Sequence, residues 1–402
     1  MRRMSSDAED QAESRLSGDV TLGRILAFFV PLGISASLTS LSHVIINGTL
    51  ARSAFPETTI AAYTIAYSVF IITERPAIFL RQTCSALAGD RTAFKAVARV
   101  MLYYLLFMLS FGCLLSYTPA GTWLFNSLFS ASGATLSGAV DSYRVLMIVT
   151  VFSAIRCLFH GIIIRNMQTK WLTIGMVVRL ASMYALSLVF LHSGLPLAGW
   201  TGAVIFLAGM MIEAAVSIWE GSGIYRRMPR QLPDSSVRAP RDVIPFYRPL
   251  LITALFGVVL GPMINVMLGK TVEIELAIAS FAVAQSITNI VTSFYSYCHQ
   301  IVLNFYKRDA AAVRRFALAF NLLPALTIAA IAFTPVGRVL VGAVAGGEGA
   351  LLDESLDVLK VFVILALAFP WVDYANGLAM LHRNTRLMMI SQFGNVFTAF
   401  IV

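Results

Sequence analysis

Charge is what this chain has least of. Charged residues make up 13% of its 402 positions, where a soluble globular domain carries roughly 25%. With 58% hydrophobic residues and a mean hydropathy of +0.77, the composition excludes a soluble fold and requires an integral membrane protein. Cysteine is rare too. Cys84, Cys113, Cys157 and Cys298 are scattered without metal-ligand spacing and read as small apolar packing residues. Enzyme signatures are missing: there is no P-loop, HExxH, GxSxG or GxGxxG, and no Cys/His cluster at zinc spacing. That excludes an ATP-driven pump acting alone and gives no support to catalysis.

What is present is apolar segments of membrane-spanning length, about 20 residues each. Helices are expected near 23–50, 58–80, 97–117, 142–165, 170–192, 197–220, 246–269, 276–304, 314–335 and 357–381, with a further one starting near 386. The segments repeat. At an offset of 218, Phe28, Pro31, Leu32, Ile34, Ala36, Ile46, Asn47 and Leu50 meet Phe246, Pro249, Leu250, Ile252, Ala254, Ile264, Asn265 and Leu268. At 216, Asp141, Val145, Gly161 and Thr169 meet Asp357, Val361, Gly377 and Thr385. The fold expected is all-α: two pseudo-symmetric six-helix bundles, with the chain reading as ten spans plus part of an eleventh in a twelve-helix protein. Its units are a polar tail over 1–22, a first bundle over 23–220, a linker over 221–245 and a second bundle over 246–402. Duplicated bundles of this kind suit secondary transporters, whose halves rock about a site between them.

The net charge of +9 raises the possibility of nucleic-acid binding, and its distribution removes it. Of 30 basic residues, 22 fall on alternate connections, 5 on the opposite side and 3 inside spans. The positive-inside rule then makes the N-terminus, the linker and the even-numbered connections cytoplasmic. Residues 1–20 hold Asp7, Glu9, Asp10, Glu13 and Asp19, too acidic for a signal-peptide n-region, and are expected to be a cytoplasmic tail. The linker, rich in Gly, Pro and Arg, is expected to interrupt the helices. Two Gly-rich external stretches, 118–140 and 336–356, have room for a short interfacial helix each.

Six ionisable residues lie well inside spans: Glu74, Arg75, Arg156, Arg179, Glu213 and Asp373. Such groups cost a few kcal/mol in lipid and so face the bundle interior or a wet cavity. Glu74 and Arg75 point about 100° apart, whereas Glu74 and Arg81 share a face beside Pro76. Arg156 shares a face with Ser153 and His160. In the second half the equivalent of His160 is Asn376, preceded by Asp373. The eighth span carries a polar stripe through Gln285, Thr288, Asn289, Thr292, Ser293, Ser296 and His299, and the first through Ser35, Thr39, Ser42, His43 and Asn47. These stripes are expected to line a cavity. The candidate substrate or ion site is therefore Glu74, Arg75, Arg156, His160, Asp373, Asn376, His43, Asn47, Gln285 and Asn289.

The opening of the first span, Phe29-Val30-Pro31-Leu32-Gly33-Ile34, and the repeated Gly161…Thr169-Lys170 and Gly377…Thr385-Arg386 resemble the multidrug/oligosaccharidyl-lipid/polysaccharide exporter superfamily, which includes MATE transporters. Ala62-Tyr63, Ala66-Tyr67-Ser68 and Asp90-Arg91-Thr92 before Lys95-Ala96-Val97 resemble its progressive ankylosis (ANK) branch, over roughly the first 100 residues. The resemblance implies an exporter with alternating access: of anions such as citrate, pyrophosphate or nucleotides if ANK-like, of organic cations against sodium or protons if MATE-like. Ser42 and His43 stand where many proton-coupled MATE members carry an acid, and Asp373 matches the helix-ten acid of sodium-coupled ones. On this reading Arg75, Arg156 and Arg179 give the cavity positive charge for an anion, since the guanidinium fork matches carboxylate and phosphate. The alternatives are a cation-coupled multidrug antiporter using Glu74 or Asp373, and a lipid-linked precursor flippase. The expectation includes no cofactor beyond a coupling Na+ or H+. It includes a small-molecule substrate, the bilayer and no nucleic acid as partners, and a monomer in the plasma membrane.

Overall fold

A computed structural model describes residues 20–401 apart from 130, 132, 234, 269–273 and 346–348; side chains at 40, 57, 255, 258–268, 274–279, 282, 343–345, 396 and 398–401 also lie outside the description. The tail expected at 1–22 lies outside it as far as residue 19. Fifteen helices and no strand occur among the described residues, as backbone groups in lipid must be satisfied within their own segment. The first half comprises α1 (Leu22–Leu50), α2 (Pro56–Leu87), α3 (Arg91–Tyr117), α4 (Pro119–Phe129), α5 (Gly133–Arg165), α6 (Lys170–His192) and α7 (Gly199–Arg227). The second comprises α8 (Pro240–Leu268), α9 (Ile274–Phe294), α10 (Cys298–Phe305), α11 (Ala310–Phe320), α12 (Leu323–Phe333), α13 (Pro335–Ala345), α14 (Ala350–Leu381) and α15 (Arg386–Ile401). The short helices α4 and α13 lie in the two Gly-rich stretches where a short helix is expected.

Two expected spans are interrupted. The eighth breaks at Tyr295–Tyr297, just after hydroxyls begin to compete for helix carbonyls. There Thr292 Oγ1 donates to Thr288 O at 2.8 Å, and Ser296 Oγ to Ser293 O at 2.6 Å. The break falls next to Phe294, the repeat equivalent of Pro76, which sits inside α2. The ninth is divided at Asn321–Leu322 into α11 and α12, with Pro324 opening the second piece. Between the halves the non-helical connection is shorter than composition suggests, running 228–239. Gly221 does not end α7: a Cβ there would lie 2.3 Å from the ring of Phe159, so this glycine serves close packing.

The repeat extends to single contacts. Thr169 Oγ1 donates to Phe28 O at 2.7 Å, and Thr385 Oγ1 to Phe246 O at 2.9 Å. Asp90 caps α3 through Ala93 N at 2.7 Å, and Asp309 caps α11 through Ala312 N at 2.8 Å. Asp141 pairs with Arg144 at 2.6 Å, and Asp357 with Lys360 at 2.5 Å. Helices α5 and α14 are both followed within two residues by a left-handed residue, Met167 (φ 60°) and Arg383 (φ 55°).

Among the described residues, the halves share a buried core at one end only. Ile25–Leu32 of α1, Leu80–Leu87 of α2 and Ile162–Ile164 of α5 contribute to one apolar cluster with Phe246 and Leu250 of α8, Val302 and Phe305 of α10, and Phe316 of α11. Phe28 meets Phe305 edge-on at 5.4 Å, and Phe29 meets Phe294 and Phe320 at 5.5 and 5.3 Å. Gly33 allows this approach, as a Cβ there would sit 2.7 Å from the Phe294 ring. At the other end the clusters are separate. One is built on Ile46, Phe70, Tyr143 and Phe206, the other on Ile287, Ile328, Leu356 and Leu359. The joined end carries the arginine-rich connections, so the described residues of the two bundles form a V that opens away from them.

Candidate functional site

Glu213 of α7, wholly buried, is the hub of the first half. Its Oε1 accepts from Arg156 Nη1 of α5 at 3.0 Å and its Oε2 from Arg179 Nη1 of α6 at 2.8 Å. His160 Nε2, one turn beyond Arg156, lies 4.0 Å from the same carboxylate. Arg156 also approaches Glu74 Oε1 at 3.5 Å, to which Ser153 Oγ donates at 2.8 Å. Arg179 lies over the Phe206 ring at 5.0 Å. Two arginines thus face two carboxylates, and the pairing offsets the cost of removing each charge from water. Arg156 and Arg179, expected to give the cavity positive charge, are committed to these acids.

Glu74 and Arg81 share a face but do not pair. Arg81 lies over the Tyr297 ring at 4.8 Å, across the boundary between the halves. Carbonyls near Pro76 are taken by tyrosines: Tyr104 OH donates to Thr73 O, and Tyr247 OH to Pro76 O at 3.0 Å. Arg75, next to Glu74, points elsewhere. It is exposed and has no hydrogen bond or ion pair among the described residues. Thr64 and Ser68 precede it on the same side of α2. One offset away, α9 presents Ser286, Asn289 and Ser293. Polar stripes left partly or fully exposed on α2 and α9 are unsuited to lipid, so they line the opening between the bundles.

In the second half Asp373 of α14 grips the start of α10. It accepts from His299 N at 2.9 Å, and both carboxylate oxygens lie 3.0 Å from His299 Nδ1. Asn376 is half-buried, and Gln285 donates to Asn289 Oδ1 at 2.8 Å. The rest of the eighth-span stripe divides: Thr288 and Thr292 are buried in packing, and Asn289 is exposed. The first-span stripe divides likewise, with Ser35 and Ser42 buried and Asn47 exposed. His43 Nε2 lies 3.0 Å from Tyr67 OH and its ring stacks on Phe206 at 5.8 Å.

The ten candidates therefore separate into a buried ionic group (Glu74, Arg156, His160), a second-half dyad partner (Asp373), an aromatic-bound histidine (His43), the less buried Gln285 and Asn376, and the exposed Arg75, Asn47 and Asn289. The ionic group's centre, Glu213, is visible in the sequence as an intramembrane acid. Its role is not, because its partners come from two other helices at sequence separations of 57 and 34. Tyr67, partner of His43, stands in the sequence only within the Ala66-Tyr67-Ser68 motif, with nothing to mark it as that histidine's partner.

The fold is that of MATE transporters of the MOP superfamily. An outward-facing multidrug resistance MATE family transporter superposes with a TM-score of 0.73 at 16% identity, over 92% of this chain and 84% of that one. A MOP superfamily transporter from Pyrococcus furiosus, described as having a binding pocket of reversed polarity that suggests a different function, superposes at 0.71 and 17% identity, over 94% and 87%. A MATE protein in the straight conformation gives 0.70 at 18%, over 94% and 86%. No sequence model of a protein family matches the chain, and no curated protein sequence does.

Proposed function

We propose that the chain is a secondary active transporter whose two bundles rock to alternate access, and that its cargo is an organic or phosphorylated anion of the citrate or pyrophosphate kind. One observation carries the choice of anion. The intramembrane acids Glu74, Glu213 and Asp373 are each held by a basic side chain, whereas Arg75 is exposed toward the opening and unpaired among the described residues. A cation entering this cleft finds no free carboxylate among them; an anion finds a guanidinium. With the arginine-rich end cytoplasmic, the V faces outward.

The test is transport in proteoliposomes. Citrate or pyrophosphate movement is expected, with Arg75→Ala reducing it about ten- to a hundredfold, the worth of one charged hydrogen-bonding group. Arg75→Lys should keep part of the activity, because the charge remains and the fork is lost. Gradient-driven movement of a cationic dye without anion movement, or an Arg75→Ala variant with full anion transport, would overturn the reading.

A further inference from the structure

On the first half, at the arginine-rich end, a cavity of about 460 Å³ lies where α1, α6 and α7 meet. The proposed transport site does not use it. Its lining includes Ala27, Gln168, Lys170, Trp171 and Glu220. Lys170 and Glu220 have opposite charges, and neither makes an ion pair or hydrogen bond among the described residues. They line one cavity and leave each other unneutralised. Ala27 adds an acceptor. Its carbonyl would normally accept from the N–H four residues on, but that residue is Pro31, which has none. The neighbouring carbonyls are taken, Phe28 O by Thr169 and Pro31 O by Thr173. One wall therefore presents a cation with the Gln168 amide, and the other a carboxylate with a carbonyl. Below Lys170 on the same face of α6, Ile174 and Val177 are exposed apolar side chains, 41% and 52% accessible. On α7, Trp219 beside Glu220 is 81% exposed, as suits a residue at the membrane–water interface.

We infer that this cavity binds the headgroup of a zwitterionic phospholipid with a primary ammonium, phosphatidylethanolamine in class. The phosphate sits on Lys170 and Gln168. The ammonium donates to the Glu220 carboxylate and the Ala27 carbonyl. The acyl chains follow Ile174 and Val177 toward the bilayer centre. A choline headgroup has no N–H to give either acceptor, and an anionic glycerol headgroup meets the charge of Glu220. The site thus selects for the amine as well as for the phosphate.

Binding is read without transport. The purified protein is titrated with phosphatidylethanolamine, phosphatidylcholine, phosphatidylglycerol and soluble glycerophosphoethanolamine, following retained lipid by native mass spectrometry and the thermal unfolding midpoint. Phosphatidylethanolamine is expected to bind about tenfold more tightly than phosphatidylcholine, one charge-assisted hydrogen bond's worth, and to raise the midpoint most. Glu220→Gln should remove that preference while leaving the lipid-free midpoint in place. Lys170→Gln should weaken all the phospholipids together. Equal binding of the ethanolamine and choline lipids by the native protein, or an ethanolamine preference that survives Glu220→Gln, overturns the proposal. Glycerophosphoethanolamine binding as tightly as the lipid would assign the site to a soluble amine phosphate and overturn the lipid assignment.

Discussion

Removing one partner from a buried ionic group costs more than the group contributes whole, because a charge is left in a low dielectric with nothing to answer it. Glu213 is the most sensitive position on that argument. Glu213→Gln leaves Arg156 facing only Glu74 and Arg179 facing none, and should destabilise the protein by about 3–5 kcal/mol. Arg75→Met removes an exposed cation without a partner among the described residues and should change stability little, so chemical unfolding of the two variants separates the structural arginines from the free one. Asp90 lies outside the spans, at the turn between α2 and α3. Burial raises its carboxyl pKa, but hydrogen bonds from Ala93 N, Leu232 N and the Ser235 hydroxyl lower it further, so the net shift is downward. A depressed folded pKa means that Asp90 stabilises the protein above its ordinary value of about 4 and ceases to as pH falls through the folded value. Asp90→Asn keeps an acceptor for Ala93 N and loses the anion that also holds the connection 228–239. It should cost about 1–2 kcal/mol at pH 7, and the loss relative to the native protein should shrink below about pH 4 in pH-dependent melting.

At the scale of elements, two glycines set how closely the halves' long helices cross. A Cβ on Gly161 would lie 2.5 Å from Cys84 Cβ and 3.0 Å from Arg81 O; one on Gly377 would lie 2.8 Å from Val302 Cβ and 2.9 Å from His299 Cα. Backbone cannot yield as a flexible side-chain tip can. Gly161→Ala and Gly377→Ala should therefore each destabilise by about 1–3 kcal/mol, and comparing their melting midpoints tests whether the two crossings are equivalent. These glycines are legible as a repeated motif, as are Thr169 and Thr385, since a duplicated contact keeps its residue types at a fixed offset. The helix break at Tyr295–Tyr297 is not legible. Its hydroxyl side chains are equally at home in an intact transmembrane helix, and the capping acid, Asp373, is 74 residues away. The site is partly legible for the same reason. Charge in an apolar run marks a residue as interior or functional, but which acid it meets depends on helix rotation, and no local pattern states that.

For the whole molecule, the alternation of basic connections along the chain distinguishes the two ends, and the packing gives those ends different states. Apolar side chains from both halves merge where the arginines are and separate at the other end. If the proposed rocking holds, that asymmetry is one of two conformations, and a sequence that serves both cannot encode one of them alone. Beside the shared apolar core, polar contacts also tie the closed end: Ser85 Oγ donates to Gln300 Oε1 at 2.8 Å, and Arg81 covers Tyr297. If rocking is the transport step, these pairs must part once per cycle, whereas contacts within a bundle, such as Thr169 to Phe28, must not. Because the contact runs through the far end of Gln300, Ser85→Cys with Gln300→Cys, in a background lacking the four native cysteines, should be joined by a short, reducible bis-methanethiosulfonate linker. Transport should stop with the cross-link in place and return on reduction, while the melting midpoint rises. A cross-linked protein that transports at the full rate would mean that this end never opens, and the two bundles would then have to be treated as one rigid body.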